Sequence, residues 1–301
     1  MFSTKRENLV HLKHTGIYLP AENGEYALFK RAGVTLTEMG LGPEDIPAHI
    51  FIMPQDRLLA VREIQSSLNH RLLSTIKQED TNTVRETLRD LLELSFSEPE
   101  PESLEGLTET VALLAEQFDK RAPAMRNLAL LSNVDYNTAL HSVNVMALTM
   151  SYAIFHKMIR QQCQDLGLAA LLHDVGKTFI DNSLLNAPRR LTDEEFEEIK
   201  KHPVYGYRML VKCKFRSRAI ALAAYQHHEK LDGSGYPSGI TDISFAGRLI
   251  AIIDCYEAIT SQDRPYRNAA KPFDALKLIR DEITENQFDR RIFERFLDSL
   301  T

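Results

Sequence analysis

The stretch LGLAALLHDVGK (residues 166–177) ends an apolar run on an imidazole and a carboxylate side by side, then sets Lys177 just beyond Val175 and Gly176. Burying such groups is costly unless they are paired or hold a metal. The run therefore predicts a core helix over 162–173 whose end carries chemistry, with Gly176 breaking it and turning the chain. The same apolar period continues on both sides. It predicts helices over 103–120, 123–132, 137–160, 192–213, 216–229, 244–261, 272–285 and 290–299,. Thr192 and Glu195 have the spacing of a capping box.

Upstream the pattern differs. GIYLP (16–20), EYALFKRAG (25–33), VTLTEMGLGPEDIP (34–47) and AHIFIMP (48–54) are short apolar runs bounded by Gly and Pro, the signature of strands and turns with one short helix near Thr37-Glu38,. From Gln55 onward Leu58, Leu59, Val61, Ile64, Leu68, Leu72 and Ile76 mark one face of a long helix. A second follows, capped at Thr81 or Asn82 and carrying Val84, Leu88, Leu91 and Leu92. SEPEPES (97–103) then interrupts with two prolines and a run of acids,. The expected fold class is mainly α: a small α/β module at 1–55, a helical linker at 56–102, and an all-helical domain at 103–301.

The 301 residues are 44% hydrophobic, enough to bury ordinary globular cores, and carry a net charge of -6,. No basic stripe suits a nucleic-acid polymer, although a small anionic ligand needs only a few local cations. The weakly polar stretch 143–155 is too short to span a bilayer. The start has no apolar run with a cleavage site. Cys163, Cys213 and Cys255 are odd in number and lack a CxxC pattern, which suits reduced core thiols and a cytoplasmic setting,.

Of 10 histidines, those at 141, 173, 202, 227 and 228 fall in the helical region. One alone would read as an ordinary hydrogen-bonded side chain. Several at the edges of apolar segments do not, and Asp254 repeats the pattern inside RLIAIIDCYEAI. Imidazole and carboxylate donors suit Fe, Mn, Zn or Ni, and the lack of cysteine among them excludes a thiolate zinc site. A mixed His/Asp site can hold two ions for hydrolysis of a phosphoester. Asp174 is the natural bridge between them, and Lys177 can meet a phosphate oxygen as a point charge.

LLHDVGK with HHEKLDGSGYP (227–237) resembles the HD-GYP subgroup of the HD-domain metal-dependent phosphohydrolases. TALHSVNV around His141, LTDEEFEEIKKHPVYGYRML around His202, AGRLIAIIDCYEAIT around Asp254 and DRPYR (263–267) follow in the order of that family. The resemblance covers roughly 103–301 and implies a helical HD-type fold. His141, His173, Asp174, His202, His227, His228 and Asp254 would then be metal ligands. It further implies a phosphodiesterase that opens cyclic di-GMP to linear pGpG, in some members on to GMP. Asp174 and Lys177 would be catalytic, and Asp135, Lys177, Tyr236, Glu257, Arg264 and Arg267 would contact substrate.

Some members place a Glu where this chain has Asn137, so two divalent ions are expected, Fe or Mn first, with Zn, Ni or Co as alternatives. Glu257 stands where many members have Asp, and the DRPYR segment lies one residue further along than usual. Another cyclic dinucleotide, or a non-catalytic signalling module, are the competing functions. The GYP loop offers a surface to a signalling partner, and the amphipathic 56–95 region one for packing or a homodimer.

Overall fold

The computed structural model describes residues 1–21, 24–42, 45–97, 99–130, 137–261 and 271–300. By compactness the chain divides into residues 1–74 and 75–301. This division falls inside a helix, where the sequence suggested boundaries near 55 and 102.

In the first unit β1 (Phe2–Lys5), β2 (Ile17–Pro20), β3 (Tyr26–Lys30) and β4 (His49–Ile52) form one antiparallel sheet in the order β1-β4-β2-β3. β1 was not foreseen, because four residues with only Phe2 strongly apolar carry almost no periodic signal. A short helix α1 (Leu36–Met39) precedes β4, and α2 (Arg57–Lys77) follows it. Val61, Ile64, Leu68 and Leu72 are buried along α2, whereas Leu58 and Leu59 are exposed. Glu63 on α2 holds the 13–15 turn, accepting from the Lys13 and His14 amides at 3.2 and 2.7 Å and from Thr15 Oγ1 at 2.7 Å. Lys30 is buried, and its ammonium is satisfied by the carbonyls of Thr15 and Val34 at 3.2 and 2.9 Å. Burial lowers its pKa, a shift that Glu63 opposes.

The second unit is helical. α3 (Thr81–Ser97) and α4 (Pro101–Gln117) are separated by the acidic Pro segment, with Pro101 in the first turn, where its missing N–H costs nothing,. α3 packs on α4, α5 (Ala122–Leu130) and α6 (Thr138–Phe155), so it belongs to the helical unit. Asn137 caps α6 by accepting the Leu140 amide at 2.9 Å. Every residue of α6 from Ala139 to Ala153 is buried, and α7 (Arg160–Leu172), α5, α12 (Phe245–Thr260) and α14 (Arg290–Ser299) surround it. A helix buried all round is the centre of its core.

After α7 the chain continues as a 3-10 helix over Val175–Phe179 and a short α8 (Asn182–Leu185). The expected 192–213 helix is two, α9 (Asp193–Ile199) and α10 (His202–Leu210). Pro203 accounts for the break: it has no N–H for the Ile199 carbonyl four residues back and its ring clashes there. α11 (Ala219–Gln226) stops short of the His pair, and α13 (Pro272–Thr284) leads to α14. Cys163 is buried, while Cys213 and Cys255 are only partly so, and all three are thiols outside any disulfide. Among the described residues no helix is long and apolar enough to cross a membrane.

Candidate metal centre

Three of the histidines sit at helix ends, and those ends orient them. The last carbonyls of a helix have no intrahelical partner. His173, at the end of α7, directs Nδ1 to the Ala170 carbonyl at 2.7 Å. His227, at the end of α11, directs Nδ1 to the carbonyls of Ala224 and Ala223 at 3.0 and 3.2 Å. His202 directs Nδ1 to the Ile199 carbonyl at 2.8 Å, the group that Pro203 leaves without an amide. A carbonyl only accepts, so Nδ1 carries the proton in each ring and Nε2 presents a lone pair.

His141 is oriented differently. It lies on α6 between two carboxylates of α12 one turn apart: Asp254 Oδ1 is 2.9 Å from its Nε2 and Glu257 Oε2 is 2.5 Å from its Nδ1. Burial alone would lower the pKa of His141, but Glu257 and Asp254 raise it to about 10. This imidazole therefore calls for a cation at Nε2, whether a proton or a metal ion.

The four Nε2 atoms converge on Asp174. Its Oδ2 lies 3.5 and 3.4 Å from Nε2 of His141 and His173, and its Oδ1 lies 3.3 and 3.7 Å from Nε2 of His202 and His227. Asp254 Oδ1 is 4.0 Å from His173 Nε2. His228 packs on His227 and His202 with ring centroids 4.1 and 5.1 Å apart. Burial, reinforced by His202, pushes His228 down to about 3, and burial with the neighbouring imidazoles lowers His227 as well. Burial would raise Asp174 and Asp254, but Lys177 and the imidazoles of His173 and His202 outweigh it at Asp174, and those of His141, His173 and His228 outweigh it at Asp254, so both carboxyls lie well below their usual range.

This donor set fits a pair of metal ions. His141, His173 and Asp174 form one group with ligand atoms within 4.8 Å of one another, and Asp174, His202, His227 and His228 form a second. His173 Nε2 and Asp174 Oδ1 are buried without a hydrogen-bond partner, and His202 Nε2 faces His227 Nε2 at 3.2 Å with both rings' protons on the opposite nitrogen. Lone pairs facing each other in a buried site are satisfied by a cation.

Gly176 is not the residue that ends the helix, contrary to the expectation from the sequence: α7 ends at Leu172 and Gly176 lies within the following 3-10 helix, where it lets α10 approach. A Cβ there would stand 1.9 Å from the His202 carbonyl oxygen and 2.6 Å from the Gly206 nitrogen. Lys177 is tied to Asp174 Oδ2 at 2.5 Å with its side chain 25% exposed. Glu257, expected among substrate contacts, is 2% exposed. It sits behind His141, accepting also from Asn144 Nδ2 at 2.7 Å and Ser261 Oγ at 2.5 Å. Its place one turn from Asp254 directs it past the ligands into the core, where burial would raise its pKa but His141 lowers it. Asp135, Arg264 and Arg267 lie outside the described residues.

Tyr236 stacks on His228 with centroids 4.6 Å apart and planes at 23°. Its phenol pKa is raised by burial and by the Asp174 and Asp254 carboxylates, so it stays neutral. Glu229, the acidic neighbour of His228 and not among the expected site residues, fixes this loop: it is buried and accepts the Ser238 and Ile240 amides at 2.8 and 3.1 Å. Gly235 allows the return of the loop, since a Cβ there would lie 2.4 Å from the Lys230 nitrogen. Glu229→Ala is expected to lower stability by about 1–3 kcal/mol through the two stranded amides. A thermal melt checks this; an unchanged midpoint would show that the loop is held by other contacts.

The family model described as the HD domain matches residues 112–292. A cyclic di-GMP phosphodiesterase of Pseudomonas aeruginosa is 36% identical over 179 residues, 59% of this chain and 42% of that protein. A 3'3'-cGAMP-specific phosphodiesterase of Vibrio cholerae is 39% identical over 127 residues, 42% of this chain and 27% of that protein. The chain thus spans less than half the length of these relatives. Among solved structures an HDG"Y"P protein from Bdellovibrio bacteriovorus superposes with a TM-score of 0.65 over 99% of each chain at 18% identity, a likeness of fold.

Proposed function

We propose, because the chain belongs to the HD-domain family in its HD-GYP branch, that it is a phosphodiesterase opening cyclic di-GMP to linear pGpG. The observation that carries this reading is the placement of Asp174, whose two oxygens each face a different pair of imidazole nitrogens. His141, His173, Asp174 and Asp254 would hold one divalent ion, and Asp174, His202, His227 and His228 the other. Iron or manganese suits these nitrogen and oxygen donors better than a thiolate-seeking metal. When bound, the ions polarise the phosphoryl oxygens and make water nucleophilic near neutral pH.

The protein's own groups supply the rest. Lys177, anchored on Asp174 and partly exposed, presents a positive charge where a phosphoryl oxygen gains negative charge,. Tyr236, neutral and held flat on His228, offers a ring face and a hydroxyl to a guanine or ribose,. Asp135, Arg264 and Arg267 complete the proposed substrate contacts. Residues 103–301, with α3 packed on them, would carry the reaction, and 1–55 would form a separate module. Three cysteines outside any disulfide accord with a cytoplasmic setting,. A homodimer through 56–95 and a signalling partner at the GYP loop belong to the same proposal.

The test is product analysis with purified full-length protein loaded with Mn(II) or anaerobic Fe(II). Linear pGpG from cyclic di-GMP is expected. The similarity to 3'3'-cGAMP-specific enzymes favours one second substrate, so that dinucleotide runs in parallel; cleavage of it alone reassigns the substrate. Neither being cleaved, with metal occupancy verified, would overturn the reading and leave a binding module.

A further inference from the structure

We infer that Arg85, on α3 and outside the 112–292 family match, is a positioning residue that fixes the metal ligand His141 through Asn144 and Glu257. The inference rests on the metal-centre reading above. Arg85 Nη2 donates to Asn144 Oδ1 at 3.0 Å, Asn144 Nδ2 donates to Glu257 Oε1 at 2.7 Å, and His141 Nδ1 donates to Glu257 Oε2 at 2.5 Å. All four side chains are buried, with residue exposures of 4, 3, 2 and 3% from Arg85 through Asn144 and Glu257 to His141.

The chemistry of the ends fixes the direction of the chain. A guanidinium can only donate and a carboxylate can only accept, so the amide between them has one orientation: oxygen to Arg85, nitrogen to Glu257. Glu257, accepting from Asn144 and Ser261, then takes the His141 proton at Nδ1, and Nε2 is left to face Asp174 and Asp254. Without Arg85 the amide oxygen loses its buried donor, so the Asn144 side chain that bonds Glu257 is no longer held from behind. The carboxylate would also lose the attraction of a buried cation, and His141 the fixed hydrogen bond that sets its tautomer. Partners of metal-bound histidines commonly change metal affinity or activity by about 10- to 100-fold. α3 packs directly on α6, which carries both Asn144 and His141, so a helix preceding the matched domain forms part of the metal centre.

The experiment is Mn(II) titration of the metal-free full chain, read as ions bound per chain and the concentration that fills each, without substrate. Arg85→Met is expected to weaken one of two ions by about 10- to 100-fold and to leave the other in place. Glu257→Gln should do the same, and the double variant should be no weaker than the worse single one, because both act through one hydrogen bond to His141. Leu88→Ala, a buried packing change on the same helix, should lower the melting temperature without moving metal affinity. Wild-type affinity in Arg85→Met, additive losses in the double variant, or an equal loss in Leu88→Ala would overturn the inference. Should Arg85→Met fail to fold, Arg85→Lys, which keeps the charge and loses the fork, runs the same cycle. A wild-type chain that binds fewer than two ions would overturn the metal-centre reading itself, a result separate from failure of Arg85 alone.

Discussion

Asp174→Ala is expected to strip both metal ions from the protein and to lower turnover by at least about a thousandfold. The reason is geometric: one carboxylate oxygen faces His141 and His173, the other faces His202 and His227. Among the described residues Asp174 alone is common to both groups of donors. Loss of several kcal/mol of charge stabilisation in the transition state corresponds to three or more powers of ten in rate. The variant also leaves Lys177 without its buried partner and removes the negative charge from among four imidazoles. Elemental analysis beside the activity assay separates outcomes: two ions retained by Asp174→Ala would show that its carboxylate does not join the two groups.

Gly176→Ala is expected to be the most destabilising single methyl group in the helical unit. A Cβ 1.9 Å from the His202 carbonyl oxygen cannot be relieved by a rotamer change, because the obstacle is backbone on α10 and the Gly206 nitrogen stands only 2.6 Å away as well. Either the 3-10 segment or α10 must move, at a cost of at least about 3 kcal/mol. For a unit of this size that is a fall of ~10 °C in melting temperature. The displaced elements carry Asp174 and His202, so metal affinity should fall with stability. A circular dichroism melt with and without Mn(II) reads both effects, and a variant that melts with the wild type would mean that these two segments pack more loosely than the structure has them.

Most of the side chains that gather around Asp174 were legible in the sequence because they end or interrupt an apolar run, where a polar group needs a reason to be buried; His202, which follows two lysines, does not. His173 after LGLAALL and His227 after AIALAAYQ are local patterns, and the helix ends that produce them also orient the rings. What holds His141 was not legible. Glu257 is 116 residues away from it and Arg85 is 59 residues away from Asn144, and only packing of α3, α6 and α12 brings them together. In the sequence Arg85 is one charge beside the apolar face of α3, with nothing local to distinguish it from a solvated flank residue. Pro203 did carry the break between α9 and α10 in plain form, and the acidic capping box ahead of it obscured that reading. Gly176 shows the opposite case: the residue type was noticed, but close approach to a helix contributed 26 residues later cannot be told from a turn without the fold.

The donor geometry is tested most directly by counting metal ions. Metal-free wild-type protein, titrated with Mn(II) and followed by calorimetry with elemental analysis of the end point, should bind two ions per chain, both lost in Asp174→Ala. One ion per chain, or none, would contradict a centre in which the two oxygens of Asp174 serve separate histidine groups.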